Sequence, residues 1–249
     1  MKTNPNMRNL LFFLLLPMCS FYTNTANGQF WNWGRGIKGE GAIVKQTFQL
    51  DEFNSLGLGI SAEVEIRQGS PQRVVVEGQQ NILDNIQREV SGGTWAIKFK
   101  KSVSNYEKVK IYVTIPQLEA LSVGGSGGIK TIGAFRDLDK LDLSVGGSGS
   151  IDADVFAKHI KCSVGGSGDI WLKGKADVCG MSVAGSGDIH AFGLATNECK
   201  ASVAGSGACE VNARDRLEAS VAGSGGVLYE GSPSISSSVA GSGSVERRN

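Results

Sequence analysis

Between Ser122 and Val245 the chain writes nearly the same eight residues seven times, from SVGGSGGI at Ser122 to SVAGSGSV at Ser238. The copies start at Ser122, Ser144, Ser163, Ser182, Ser202, Ser220 and Ser238, at intervals of 22, 19, 19, 20, 18 and 18 residues. A unit of that length has room for short strands and tight corners but not for a helix plus a strand. A period held over seven copies means one structural unit stacked on itself, each burying its face against its neighbours.

With each copy numbered from its Ser as position 0, position +1 is always Val. Position −1 runs Leu121, Leu143, Cys162, Met181, Ala201, Ala219, Ser237, and position −3 runs Glu119, Leu141, Ile160, Cys179, Cys199, Leu217, Ile235. Residues at −2 are mostly polar. This period-two alternation is that of a half-buried strand. Position +7 (Ile129, Ile151, Ile170, Ile189, Cys209, Val227, Val245) forms a second inward column beyond the glycines, and both columns are expected to point inward in every coil.

Glycine never varies at +3 or +5, whereas +2 changes from Gly to Ala after the third copy. A left-handed backbone, or a corner too crowded for a Cβ, is expected at the two invariant positions. The Ser between them, stacked coil on coil, is expected to form a hydroxyl column bonding to the next hydroxyl or to a corner carbonyl. The chain therefore reads as all-β, a parallel β-solenoid with about seven Gly-Ser-Gly coils and an N-terminal β cap. At ~4.8 Å per coil, seven coils extend about 34 Å.

The N-terminal stretch divides in three. Residues 1–28 carry Lys2 and Arg8, the apolar run Leu10–Met18, then small and polar residues, which is the pattern of a cleavable signal peptide. Lipidation at Cys19 is the alternative, but Met18 is a poor match to the small residue expected before a lipid-bearing Cys, so ordinary secretion is favoured. Residues 29–41, Gly-rich with Trp31 and Trp33, read as a flexible lead-in. Residues 42–117 read as a strand-rich region continuous with the solenoid at 118–249. Its strands are expected at Ala42–Leu50, Leu58–Gln68, Arg73–Glu77, Ile86–Val90, Thr94–Lys100 and Lys108–Ile115, with one helical turn near Asn81–Asn85. Its role is the cap a solenoid end requires against edge pairing. Removing residues 1–28 leaves 23 basic and 24 acidic side chains, a balance that offers no electrostatic footprint for nucleic acid. No segment is long and apolar enough for a transmembrane helix.

The segment Phe53-Asn54-Ser55-Leu56-Gly57-Leu58-Gly59-Ile60-Ser61, leading into Ala62–Gly69, together with Asn81–Lys100 and the recurrent Gly-Ser-Gly-x-Ile, resembles the putative auto-transporter adhesin, head GIN domain family of bacterial secreted proteins. The eponymous Gly-Ile-Asn appears here as Gly59-Ile60-Ser61. The resemblance implies a right-handed parallel β-helix and a role in cell adhesion.

Cys162, Cys179, Cys199 and Cys209 all fall on inward positions. They read as small core residues with free thiols; a Cys179–Cys199 disulfide is possible in an exported chain but is not favoured, because bridging adjacent parallel strands is geometrically demanding. Their spacing is not that of a zinc site. No metal or other cofactor is implied.

One outward constellation hints at ligand chemistry. Positions +6 and +8 flank the inward +7 residue, and stacking sets Asp169 beside Asp188 and Trp171 beside His190. Two carboxylates with an imidazole can hold a cation, and an exposed indole can stack on a sugar ring. The other reading of all four is a solvated face carrying scattered aromatics. The calcium-repeat pattern GGxGxD is not met, since GGSGDIW lacks a residue between Gly and Asp. Seven equivalent Ser beside only two His argue against a nucleophile, and the Gly-rich runs lack the Lys and helix of a phosphate loop. The residues thus favour a non-enzymatic surface or envelope protein, with cell-surface carbohydrate or protein as partner. The alternative is a carbohydrate-active β-helix enzyme using Asp152, Asp169 and Asp188, with no catalytic residue identified.

Overall fold

The alternating apolar positions close into a parallel β-solenoid, seen in a computed structural model that describes residues 36–248. The expected signal peptide, Cys19, Trp31 and Trp33 lie outside the described residues. Coils one to seven follow the seven sequence copies in strict register: Ser144, Ser163, Ser182, Ser202, Ser220 and Ser238 stack as parallel neighbours in one ladder. Long strands, such as Asp169–Gly185 and Ile189–Gly205, bend around the coil from one glycine corner to the next. Unequal coil lengths are absorbed as bulges, for instance between Trp171 and Lys173 and between Ala191 and Ala195.

The inward columns pack as their period dictates. Val at +1 is buried from Val123 to Val221, and position +7 from Ile129 to Val227. The seventh coil departs from that expectation. Its Val239 is 45% exposed and Ile235 42%, because among the described residues no further coil lies above them. Glu119 departs too: it faces solvent at −3 of coil one, and the adjacent Leu118 fills the core there.

The two invariant glycines have different physical causes. At +5, a Cβ on Gly168, Gly187, Gly207 or Gly225 would lie 2.0–2.1 Å from the carbonyl oxygen of the glycine one coil below. At +3, the four copies with Ala at +2 hold φ between +118° and +149°, at Gly185, Gly205, Gly223 and Gly241. The +3 carbonyl accepts two backbone N–H groups from the coil above; Gly166 O takes both Ser186 and Gly187 at 3.1 Å. The Ser side chains at +4 are exposed, so the corner is bonded by backbone where a hydroxyl column was expected.

Beneath coil one, the chain does not run in order. Ser55–Leu58 pairs upward with Ala120–Val123, and Ala62–Gln68 with Gly128–Thr131, placing Gly57 under Ser122 and Val64 under Ile129. Residues 55–66 therefore form an ungapped eighth coil, here coil zero, in which Leu58 and Val64 are the +1 and +7 core residues. Below it lies a foot built from later residues, Thr94–Ile97 and Val109–Ile115, again parallel. Antiparallel strands Arg73–Gln79 and Ile43–Phe48 then close this end, with one helical turn at Gln80–Leu83 and Trp95 fully buried against Phe48 and Phe53. Within the stretch expected to be a flexible lead-in, Ile37–Lys38 is instead paired with Val103–Asn105.

All four described cysteines are buried and free. Cys179 lies within hydrogen-bonding reach of both Cys162 and Cys199. The Cys162 sulfur and burial raise the Cys179 thiol well above its ordinary range, the Cys179 sulfur and burial do the same to Cys199, and burial pushes Cys209 up to about 12.

Candidate functional site

Because +7 points inward, its neighbours at +6 and +8 stand side by side on one outer face, and stacking turns each into a column along the coils. The +8 column reads Glu65, Lys130, Asp152, Trp171, His190, Glu210 from coil zero to coil five. In the same coils +6 holds Glu63, Gly128, Ser150, Asp169, Asp188 and Ala208.

The four residues singled out in the sequence do come together. The Trp171 and His190 rings stack 5.2 Å apart at 15°, and the indole is 37% exposed. One ligand-capable atom each from Asp169, Asp188 and His190 lies within 4.8 Å of the others. His190 Nδ1 also faces Glu210 Oε2 at 3.1 Å.

Both carboxylates do structural work that the sequence did not announce. Asp169 Oδ1 accepts the Asp188 N–H at 3.1 Å, and Asp188 Oδ1 accepts the Ala208 N–H at 2.6 Å. In other coils this N–H goes to the +5 glycine carbonyl below, as Ser150 does to Gly127 at 3.0 Å. The aspartates thus replace a backbone bond at two successive corners and leave one oxygen each for other work. Asp152, the third carboxylate of the enzyme reading, pairs with Lys130 at 3.3 Å. None of the three is left as an unpartnered acid or base, which weighs against a catalytic pair.

A hollow of about 410 Å³ opens on the side of Trp171 away from His190, lined by Glu63, Glu65, Gly128, Lys130, Ser150, Asp152 and Trp171 with the backbone of Val64 and Ile129. Sequence reasoning missed every one of these except Asp152 and Trp171. Aligning Gly57–Val64 as an eighth copy of the repeat would have placed Glu63 and Glu65 in the two outward columns.

Residues 52–233 match the family described as putative auto-transporter adhesin, head GIN domain. Among solved structures, a putative adhesin from Bacteroides fragilis is similar at 28% identity and a TM-score of 0.78, covering 86% of this chain and 100% of that one. A putative lipid binding protein from Parabacteroides distasonis is similar at 26% identity and a TM-score of 0.74, with the same coverage. A putative adhesin from Parabacteroides distasonis is 29% identical with a TM-score of 0.69, again over 86% and 100% of the two chains. The sequence matches no curated protein.

Proposed function

The chain belongs to the family described as putative auto-transporter adhesin, head GIN domain, and on that premise we propose that it is an exported, non-enzymatic adhesion protein that binds a cell-surface ligand, carbohydrate foremost, through the Asp169/Trp171/Asp188/His190 face. The observation that carries this reading is the half-exposed indole, stacked on His190 of the next coil. A rigid aromatic plane beside carboxylates suits a sugar, whose ring packs on the plane while its hydroxyls bond at the edge. One such contact is weak, of order 1–3 kcal/mol, so adhesion would depend on many copies engaging a surface together. No helix among the described residues is long and apolar enough to cross a membrane. One structural neighbour is described as a putative lipid binding protein, but in this chain the +1 and +7 columns fill the coil interior from Val123 to Val227 and leave an acyl chain no place inside.

The test is binding of the purified mature protein to glycan arrays and whole cells, against a Trp171→Ala, Asp188→Asn double variant. Asparagine keeps an oxygen for the Ala208 N–H, so the corner survives the change. Loss of binding is expected. Undiminished binding by a variant with native circular dichroism would remove this face from the function.

A further inference from the structure

His190 covers one side of the Trp171 indole, so the side free to receive a ligand looks toward coils two, one and zero. There the +6 column drops to Ser150 and Gly128, and these small residues leave the floor of the hollow low between the +8 side chains and Glu63. Strand spacing gives a span of about 10 Å from coil zero to coil two, the length of one or two hexose rings.

All but one of the charges lining this hollow are already matched. Lys130 pairs with Asp152 at 3.3 Å, and Lys108 pairs with Glu63. Glu65 alone among the lining charges has no ion-pair partner within the described residues, leaving one net negative charge. A sulfated or uronate-bearing glycan would meet that carboxylate with repulsion, and its approach would have to break the existing pairs. A cation would gain a single partner on an open surface, which is worth little in water. An uncharged polyol loses nothing by comparison: its hydroxyls can donate to Asp152 and Glu65 and accept from Lys130 while both ion pairs stay intact.

We propose that the hollow between Glu65 and Trp171 is a subsite for uncharged hexose glycans, the sugar ring lying on the indole side that His190 leaves open. This rests on the adhesive reading above and names its ligand class and the side of the indole it uses. The ring then rests over coils zero to two, and Asp169 and Asp188, while holding the corners from which Trp171 and His190 project, keep one oxygen each for a sugar hydroxyl at the edge of the indole.

The experiment is affinity electrophoresis of the full mature chain through gels carrying neutral polysaccharides (mannan, galactan, dextran) or anionic ones (dextran sulfate, polygalacturonate). Ser150→Gln fills the floor; the +6 column already carries Asp in coils three and four, so the fold accepts a longer side chain there. Ser244→Gln makes the same change at +6 of coil seven, away from the hollow. Retardation by at least one neutral polysaccharide is expected, weakened at least ~10-fold by Ser150→Gln and by Trp171→Ala and unchanged in Ser244→Gln. If Trp171→Ala weakens binding and Ser150→Gln, with a native melting midpoint, does not, the subsite is wrong while the adhesive face stands. Should neither substitution matter, both readings fall together. Retardation by the anionic gels alone would overturn the uncharged class.

Discussion

Gly180 and Gly187 occupy positions −2 and +5 of coil four, and alanine at the two sites is expected to act with opposite sign. At Gly187 the new Cβ would lie 2.0 Å from Gly168 O and 2.8 Å from Val164 Cγ1. Coils three and four must part locally by at least about 1 Å to bring the first contact to the limit real Cβ atoms tolerate. That movement stretches the two bonds, each 3.1 Å, that Gly166 O accepts from Ser186 and Gly187. Two weakened hydrogen bonds at about 1 kcal/mol each, with overpacking of 1–3 kcal/mol, total roughly 3–5 kcal/mol. At Gly180 nothing lies within 4 Å of the added Cβ, and the backbone is outside the left-handed region. Alanine there restricts the unfolded chain and stabilises by about 0.4–1 kcal/mol. For a chain of this size 1 kcal/mol moves the melting midpoint by ~2–4 °C, so Gly187→Ala should fall by roughly 6–20 °C and Gly180→Ala rise by about 1–4 °C. Circular dichroism melts and urea midpoints measure both, the urea slope reporting whether the coils still unfold together. Equal midpoints, or a Gly187→Ala protein as stable as the parent, would refute the claim that +5 glycine exists to clear the carbonyl beneath it.

Two other outcomes follow from the core columns. Val183→Asp buries a carboxylate with no partner at a site 1% exposed and should leave the protein unfolded or insoluble, whereas Val239→Asp, in the same column but 45% exposed, should melt within about 2 °C of the parent; matching behaviour would break the column assignment. Alkaline pH should destabilise the fold through the thiols. Cys209 titrates near pH 8.5 when unfolded but is pushed up to about 12 when folded, so its stabilisation is complete below about pH 8.5 and is lost as pH rises toward 12, by up to ~1.4 kcal/mol per pH unit. Urea midpoints from pH 8 to 11 should therefore fall less steeply in Cys209→Ala than in the parent, and parallel slopes would contradict the burial argument.

What the sequence disclosed was whatever repeats. Period two along each strand and a period near 20 between copies fix which side chains share a column, so Val183, Ile189 and Cys199 could be placed inward, and Trp171 beside His190, without coordinates. Coil zero escaped because it lacks the glycines: Ile60 and Ala62 stand where the copies have Gly at +3 and +5. The physical reason lies underneath it. A corner needs glycine where another corner's carbonyls sit close below, as those of Ile60 and Ala62 do under Gly127, and coil zero rests instead on Thr94–Ile97 and Val109–Ile115. The double duty of Asp169 and Asp188 was illegible for a different reason: whether a carboxylate reaches solvent or the next N–H depends on a side-chain torsion, which no periodicity encodes. Exposure of Val239 could not be seen either, since the seventh copy is written like those that are covered.

The inverted order at the base bears on how the chain finds its fold. Ser55 must wait for Thr94 on one side and Ala120 on the other, 39 and 65 residues further along, whereas each later coil closes on a predecessor only 18–22 residues back. Loop-closure entropy and the loss of local contacts both make the first assembly the slow one, and everything after it a quick zippering of one coil upon the last. The foot and coil zero thus act as a seed with a single growing end. A chain delivered N-terminus first presents the pieces of that seed before the first copy of the repeat, so the adhesive-looking Gly-Ser-Gly strands meet a finished template instead of one another.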